Sequence, residues 1–117
     1  METSNTTSDC ICSDQVEGTA VYNTTGEKLG SIDSLMIDKR SGQVRHAVLE
    51  FGGFLGLGTD RYPLPWSMLK YDTVLDGYVV PINKDRLDNA PRYPYAGTSP
   101  FTTDMGYGQR VNDFYGS

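Results

Sequence analysis

The chain has 117 residues, 38% of them hydrophobic, with 13 glycines, 6 prolines and a formal net charge of −5. Such a length and composition describe one small domain of short strands and many turns. The acidic balance and scattered Lys and Arg argue against direct nucleic-acid binding, and no apolar run is long enough for a membrane-spanning helix.

Residues 1–16 form a polar leader with little to bury, expected to be flexible. It shows neither the basic nor the apolar region of a secretory signal, so the expected location is the cytoplasm. Cys10 and Cys12 are spaced too closely for an unstrained mutual disulfide. With His46 as the one histidine, they also lack partners for a zinc site. They read as reduced thiols.

The domain proper is expected over residues 17–90. Thr19–Tyr22 reads as a short strand, followed by a turn in which Gly26 takes a positive φ. Leu29–Asp38 reads as a longer strand. Its apolar residues Ile32, Leu35 and Ile37 do not alternate strictly, which implies a β-bulge near Asp33 and Ser34. Lys39–Gly42 makes the next turn, with Gly42 left-handed. Val44–Phe51 returns as the partner strand, with Ala47, Leu49 and Phe51 on one face and Val44, His46, Val48 and Glu50 on the other. Both faces carry apolar groups, so both are expected to be covered.

The stretch FGGFLGLG, residues 51–58, raises the question of a phosphate-binding loop. Such a loop needs a helix N-terminus after it, supplying free N–H groups and the positive dipole end. Here TDRYP follows, no Lys-Ser/Thr pair is present, and GGxxGxG is not the dinucleotide order GxGxxG. The expectation is structural: the glycines cross the end of a barrel while Phe54 and Leu55 fold back as a plug.

Arg61–Leu64 reads as a strand kept near an edge or end by its prolines. Pro65 is suited to the first position of a helical turn through Trp66–Leu69. Asp76-Gly77, between apolar pairs, predicts a two-residue hairpin turn over Thr73–Val80. Asn83 is expected to cap a short helix over Lys84–Asp88, with Ile82 and Leu87 forming a hydrophobic staple. Residues 91–117 show no clear period but carry Tyr93, Tyr95, Phe101, Tyr107, Phe114 and Tyr115. Rings in that number are expected to dock, on their own barrel or on a neighbour.

No catalytic constellation is visible. His46 is expected on an outer face, with Asp33 or Asp38 as its nearest carboxylates. Asp60 and Arg61 read as a local ion pair of small value. Asp72 and Asp76 read as turn chemistry, and Ser67 is not in a nucleophile elbow. Trp66 is expected to bury its ring at one end of the barrel or to anchor an interface. The predicted fold is mostly β: a small closed or partly open antiparallel β-barrel of five to six short strands with one or two helical turns.

The segments GEKLGSIDSLMID, SGQVRHAVLEFGGFLGLG and LPWSML, in that order, resemble the PRC-barrel family over roughly residues 18–88. That family takes its name from the cytoplasmic part of the photosynthetic reaction-centre H subunit and includes the C-terminal domain of a ribosome maturation factor. The resemblance implies a compact β-barrel without intrinsic catalysis, working through protein contacts and needing no cofactor or metal. The expected activity is that of a non-enzymatic interaction module. The alternatives are an accessory of reaction-centre electron transfer or an adaptor binding a ribosomal protein. A core this small supplies little stability alone, so a homodimer is expected, alongside an unidentified protein partner. Phe54, Leu55, Trp66, Tyr93, Tyr95 and Phe101 are the candidate interface residues.

Overall fold

The computed structural model describes residues 10–51, 59–94 and 98–116. In chain order the elements are α1 (Ser13–Val16), β1 (Ala20–Tyr22), β2 (Lys28–Ile37), β3 (Val44–Phe51) and β4 (Asp60–Pro65), then a 3-10 turn (Trp66–Met68). They continue with β5 (Lys70–Asp72), β6 (Gly77–Val79), α2 (Lys84–Leu87), β7 (Tyr93–Pro94), α3 (Pro100–Thr103) and α4 (Tyr107–Tyr115). The strands form one seven-stranded sheet in the order β5-β6-β1-β2-β3-β4-β7.

This differs from the expected barrel in three respects. The described strands number seven rather than five or six. Among the described residues the end strands β5 and β7 do not pair, so hydrogen bonds do not close the sheet. Nor is it wholly antiparallel, because β1 runs parallel to β6. That pair joins strands far apart in sequence, which no local turn signal announces.

β2 is the spine. Its first part pairs with β1 and the remainder with β3. The register slips between Ile32 and Ser34, as the odd apolar spacing implies, and again at Met36/Ile37. A further irregularity opposite Val21/Tyr22 falls at Leu29. An alternating strand would place Leu29, Ile32 and Leu35 on opposite faces. With these slips all three reach one core, since each extra residue shifts the pleat by one. Gly30 is required by proximity: a Cβ there would lie 2.2 Å from the backbone oxygen of Glu50.

The main core gathers Val21, Leu29, Ile32, Ala47, Leu49, Leu64, Val80 and Leu87, with Tyr62 and Tyr78 at its margins. It reaches back to Val16, 3% exposed at the end of α1, which lies within the expected leader. The Lys39–Gly42 turn forms as expected: Asp38 Oδ1 accepts from the N–H groups of Arg40 and Ser41, and Gly42 has φ 76°. Asn83 caps α2, its Oδ1 accepting from Arg86 N–H at 3.0 Å, and Ile82 and Leu87 are both buried.

Two local readings shift. Pro65 closes β4 rather than opening the helical turn. β7 pairs only with Asp60 and Arg61, so Pro63 and Pro65 fall where β4 has no second strand partner and their missing donors cost no ladder bond. The hairpin pairs Lys70–Asp72, not Thr73–Leu75, with Gly77–Val79. Asp76 ends the turn at φ 54°. Gly77 begins β6 because a Cβ there would stand 2.6 Å from the Ala20 carbonyl oxygen.

The C-terminal segment contains helix although its sequence shows no clear helical period. α4 spans nine residues, with Tyr107 and Val111 buried and Gly116 as its left-handed C-cap. It packs against β4. Glycines and polar residues dilute the apolar stripe that ordinarily marks a surface helix, which hides this one in the sequence. Among the described residues no helix is long and apolar enough to cross a membrane.

Candidate functional site

Three side-chain assemblies stand out. The first joins β2, β3 and β4. Arg61 is 5% exposed, and its guanidinium lies 3.2 Å from Asp33 and 3.1 Å from Glu50, with a further bond to Thr59 Oγ1. Asp33 occupies the β2 bulge and Glu50 sits directly opposite Arg61 across the β3–β4 ladder. The expected Asp60–Arg61 pair is not made, since adjacent strand residues point to opposite faces; Asp60 instead meets Arg92 at 3.6 Å. A buried guanidinium held by two carboxylates makes a structural tie across three strands.

The second assembly surrounds His46. The ring is 6% exposed rather than lying open on an outer face. Its Nε2 donates to Asn112 Oδ1 at 2.9 Å, and its centroid stands 5.0 Å from that of Phe101. Neither Asp33 nor Asp38 is its partner: Asp33 holds Arg61, and Asp38 holds Arg45 at 3.1 Å. Burial lowers the imidazole's pKa below its ordinary 6.5. Asn112 and the Gly108 backbone pull upward, and the nearby charge of Arg45 adds to the lowering. Phe101 also meets Tyr107 edge-on at 4.9 Å, and Tyr107 meets Tyr93 at 6.4 Å. Tyr93 and Phe101, two of the candidate interface residues, are thus engaged within the chain. At the far end of α4, Arg86 donates to the Phe114 carbonyl at 2.6 Å and lies over the Phe114 ring at 4.7 Å. The C-terminal aromatic segment docks on its own domain.

The third assembly is an exposed end of the sheet. Tyr71, Val74 and Leu75 are 41%, 92% and 37% exposed. An open groove of about 460 Å³ reaches Tyr71, lined also by Ile11, Glu17, Thr19, Ala20 and Asp76 among others. Among the described residues β5, at the end of the strand order, leaves one side of its backbone unpaired in the sheet. The turn is held from within: Asp72 Oδ1 accepts from Val74 N–H and Leu75 N–H at 2.8 and 3.0 Å, and Tyr71 OH donates to Asp76. Trp66, half-buried against the core, meets Tyr78 at a tilt with ring centroids 5.6 Å apart, and Tyr78 in turn meets Tyr71 edge-on at 5.4 Å. Trp66 therefore supports this end from beneath. The sequence reading missed Tyr71, Val74 and Leu75 because its hairpin began at Thr73, which left Tyr71 outside any element and put Val74 and Leu75 in a paired strand.

Phe54, Leu55 and Tyr95, and the glycine-rich loop itself, lie outside the described residues. Among the described residues no cluster of three or more His, Cys, Asp or Glu side chains could hold a metal ion. Cys10 and Cys12 are exposed and not in a disulfide.

A comparison with curated proteins finds no match. The family model for the PRC-barrel domain matches residues 13–87, a span running from α1 through α2 and containing β1 to β6. Its start at Ser13 agrees with the burial of Val16, and its end leaves β7, α3 and α4 as an addition to the shared domain. On that match, which covers well over half of its length, the chain belongs to the PRC-barrel domain family.

Proposed function

We propose that this protein is a non-enzymatic protein-binding module whose recognition surface is the β5–β6 end of the sheet. The observation that carries this reading is the exposure of Tyr71, Val74 and Leu75 along one strand and its turn, with Tyr71 lining an open groove and β5 at the edge of the described sheet. Exposed apolar groups on a rigid support mark contact surfaces, and an open edge offers backbone donors and acceptors to an incoming strand. Support comes here from Asp72 and Asp76, which fix the turn, and from the tilted and edge-on ring contacts of Trp66, Tyr78 and Tyr71. Exposed thiols at Cys10 and Cys12 fit a reducing compartment such as the cytoplasm.

The test uses the full chain as bait, in parallel with a Val74→Asp/Leu75→Asp variant. Both positions are in the turn, so the variant is expected to fold normally. A partner retained by the natural chain and lost by the variant supports the reading. A partner held equally by both removes the surface, and a bait that captures nothing specific removes the function.

Self-association is a second reading, through the same strand edge. The outer face of β3 and the described C-terminal rings, which a dimer could otherwise use, are already engaged within the chain. A dimer therefore rests on β5 of two copies meeting around Tyr71. Light scattering at micromolar concentration distinguishes the readings: a monomer leaves this end free for another protein.

A further inference from the structure

Two basic side chains of the family domain hold the C-terminal helices. One is Arg86, which binds the Phe114 carbonyl and lies over the rings at the end of α4, and which keeps its charge at every ordinary pH. The other is His46, whose charge changes near neutrality. His46 is wedged between β3 and the C-terminal helices so tightly that a Cβ on Gly108 would stand 3.3 Å from its Cε1. Phe101 of α3 covers the ring and Asn112 Oδ1 of α4 accepts the hydrogen bond from its Nε2–H. Val48 on β3 and Val111 on α4 are both fully buried yet stand apart from the main core. Docking of α4 on β4 buries Val111.

We propose that the segment Pro100–Tyr115 is a pH-gated latch, released from the outer face of β3 and β4 when His46 gains a second proton. The neutral ring needs one acceptor and has it in Asn112. The imidazolium would be a charge taken out of water, and that penalty is the largest influence on the site; it outweighs the help given by Asn112 and Gly108. No compensating carboxylate faces the ring from the described elements around it. On β2 its ladder partner is Met36, and on β4 it is Pro65. On β3 the adjacent charge is Arg45, a cation. On α4, Arg110 is paired with Asp104, Asp113 accepts from Gln109, and Tyr107 is neutral, its pKa raised to about 12 by burial. On α3, Phe101 bears no charge. When α4 lifts, the ring reaches water and the penalty disappears, so protonation favours the lifted state.

The experiment uses the full chain and its one histidine, which makes the imidazole signal unambiguous in an NMR titration. The midpoint is expected below the ordinary value of 6.5. Hydrogen exchange is then followed from about pH 7.5 to about pH 5, corrected for intrinsic rates, a range that brackets the free imidazole. Amides of α4 are expected to exchange several-fold faster at the acid end while those of the β2–β3 ladder keep their protection. His46→Gln, which retains a donor for Asn112 but does not titrate, is expected to abolish the acid loosening. A midpoint at or above 6.5, uniform loosening of α4 and the ladder, or the same acid response in His46→Gln overturns the latch. Should His46→Gln fail to fold, the titration and exchange on the natural chain decide alone.

Discussion

His46 Nε2 and Asn112 Oδ1, separated by 66 positions in the chain, lie 2.9 Å apart beneath the C-terminal helix. This bond satisfies a buried imidazole on a strand of the family domain with a residue from outside it. Asn112→Ala leaves the donor buried without that acceptor, and an orphaned buried polar group costs about 1–3 kcal/mol. Urea denaturation is expected to show a loss in that range. Asn112→Asp is expected to shift the imidazole titration upward instead, because a carboxylate favours the charged ring.

The overall stability of the chain should depend on acid in two separate steps. His46 has a folded pKa below 6.5, so the folded state binds its proton less readily than the unfolded state does. Stability is therefore full above 6.5, falls as pH drops below that value, and levels off beneath the folded pKa. Asp38 has its pKa lowered from 3.8 to about 2, chiefly by the Ser41 and Arg40 N–H groups, with a further bond from Arg45. Its contribution is present above 3.8 and is lost as pH falls toward 2. Denaturation midpoints measured against pH should show both steps, with His46→Gln removing the upper one and Asp38→Asn weakening the lower.

Gly30→Ala is expected to be among the most damaging single substitutions. The new Cβ would stand 2.2 Å from the Glu50 backbone oxygen, and backbone within a ladder cannot step aside. Overpacking of this kind costs about 3 kcal/mol or prevents folding. Gly26→Ala, at φ 90° but in open space, should cost only about 1–2 kcal/mol for the left-handed backbone. Chemical denaturation of the two variants side by side checks the ranking.

Arg61→Met removes the cation that Asp33 and Glu50 share, while keeping most of the buried stem. Because both carboxylates are about one-third exposed, water recovers part of the loss, and the expected cost is about 1–3 kcal/mol. Combining it with Glu50→Gln should cost less than the sum of the two, since the partners act as a unit. Arg61→Lys should not rescue stability, for an ammonium cannot reach two carboxylates through separate nitrogens. A double-mutant cycle by denaturation measures the coupling.

Legibility in the sequence followed the range of each interaction. The Asp38–Gly42 turn, the Asn83 cap and the bulge at Asp33 were readable because each is settled within a few residues. The hairpin was half readable: Asp76-Gly77 marked the right place, but Gly77 answers to Ala20 on another strand rather than to the turn alone. His46 and Arg61 were misplaced for the same reason. Their charges were visible, but their partners Asn112, Asp33 and Glu50 are chosen by packing and register. Helix α4 escaped notice because Tyr107 and Val111 are buried by β3 and β4, and not by an apolar face long enough to be seen in the helix itself.

The sequence by itself determined a mostly β domain of the PRC-barrel family, its turns and its caps, since backbone preference and alternation are properties of neighbouring residues. Only the tertiary structure decided that hydrogen bonds among the described residues do not close the sheet, that β1 runs parallel to β6, and that the aromatic C-terminal segment covers His46. Those outcomes join groups many residues apart, where the free energy of burial and pairing belongs to the assembled whole and to no single stretch of chain.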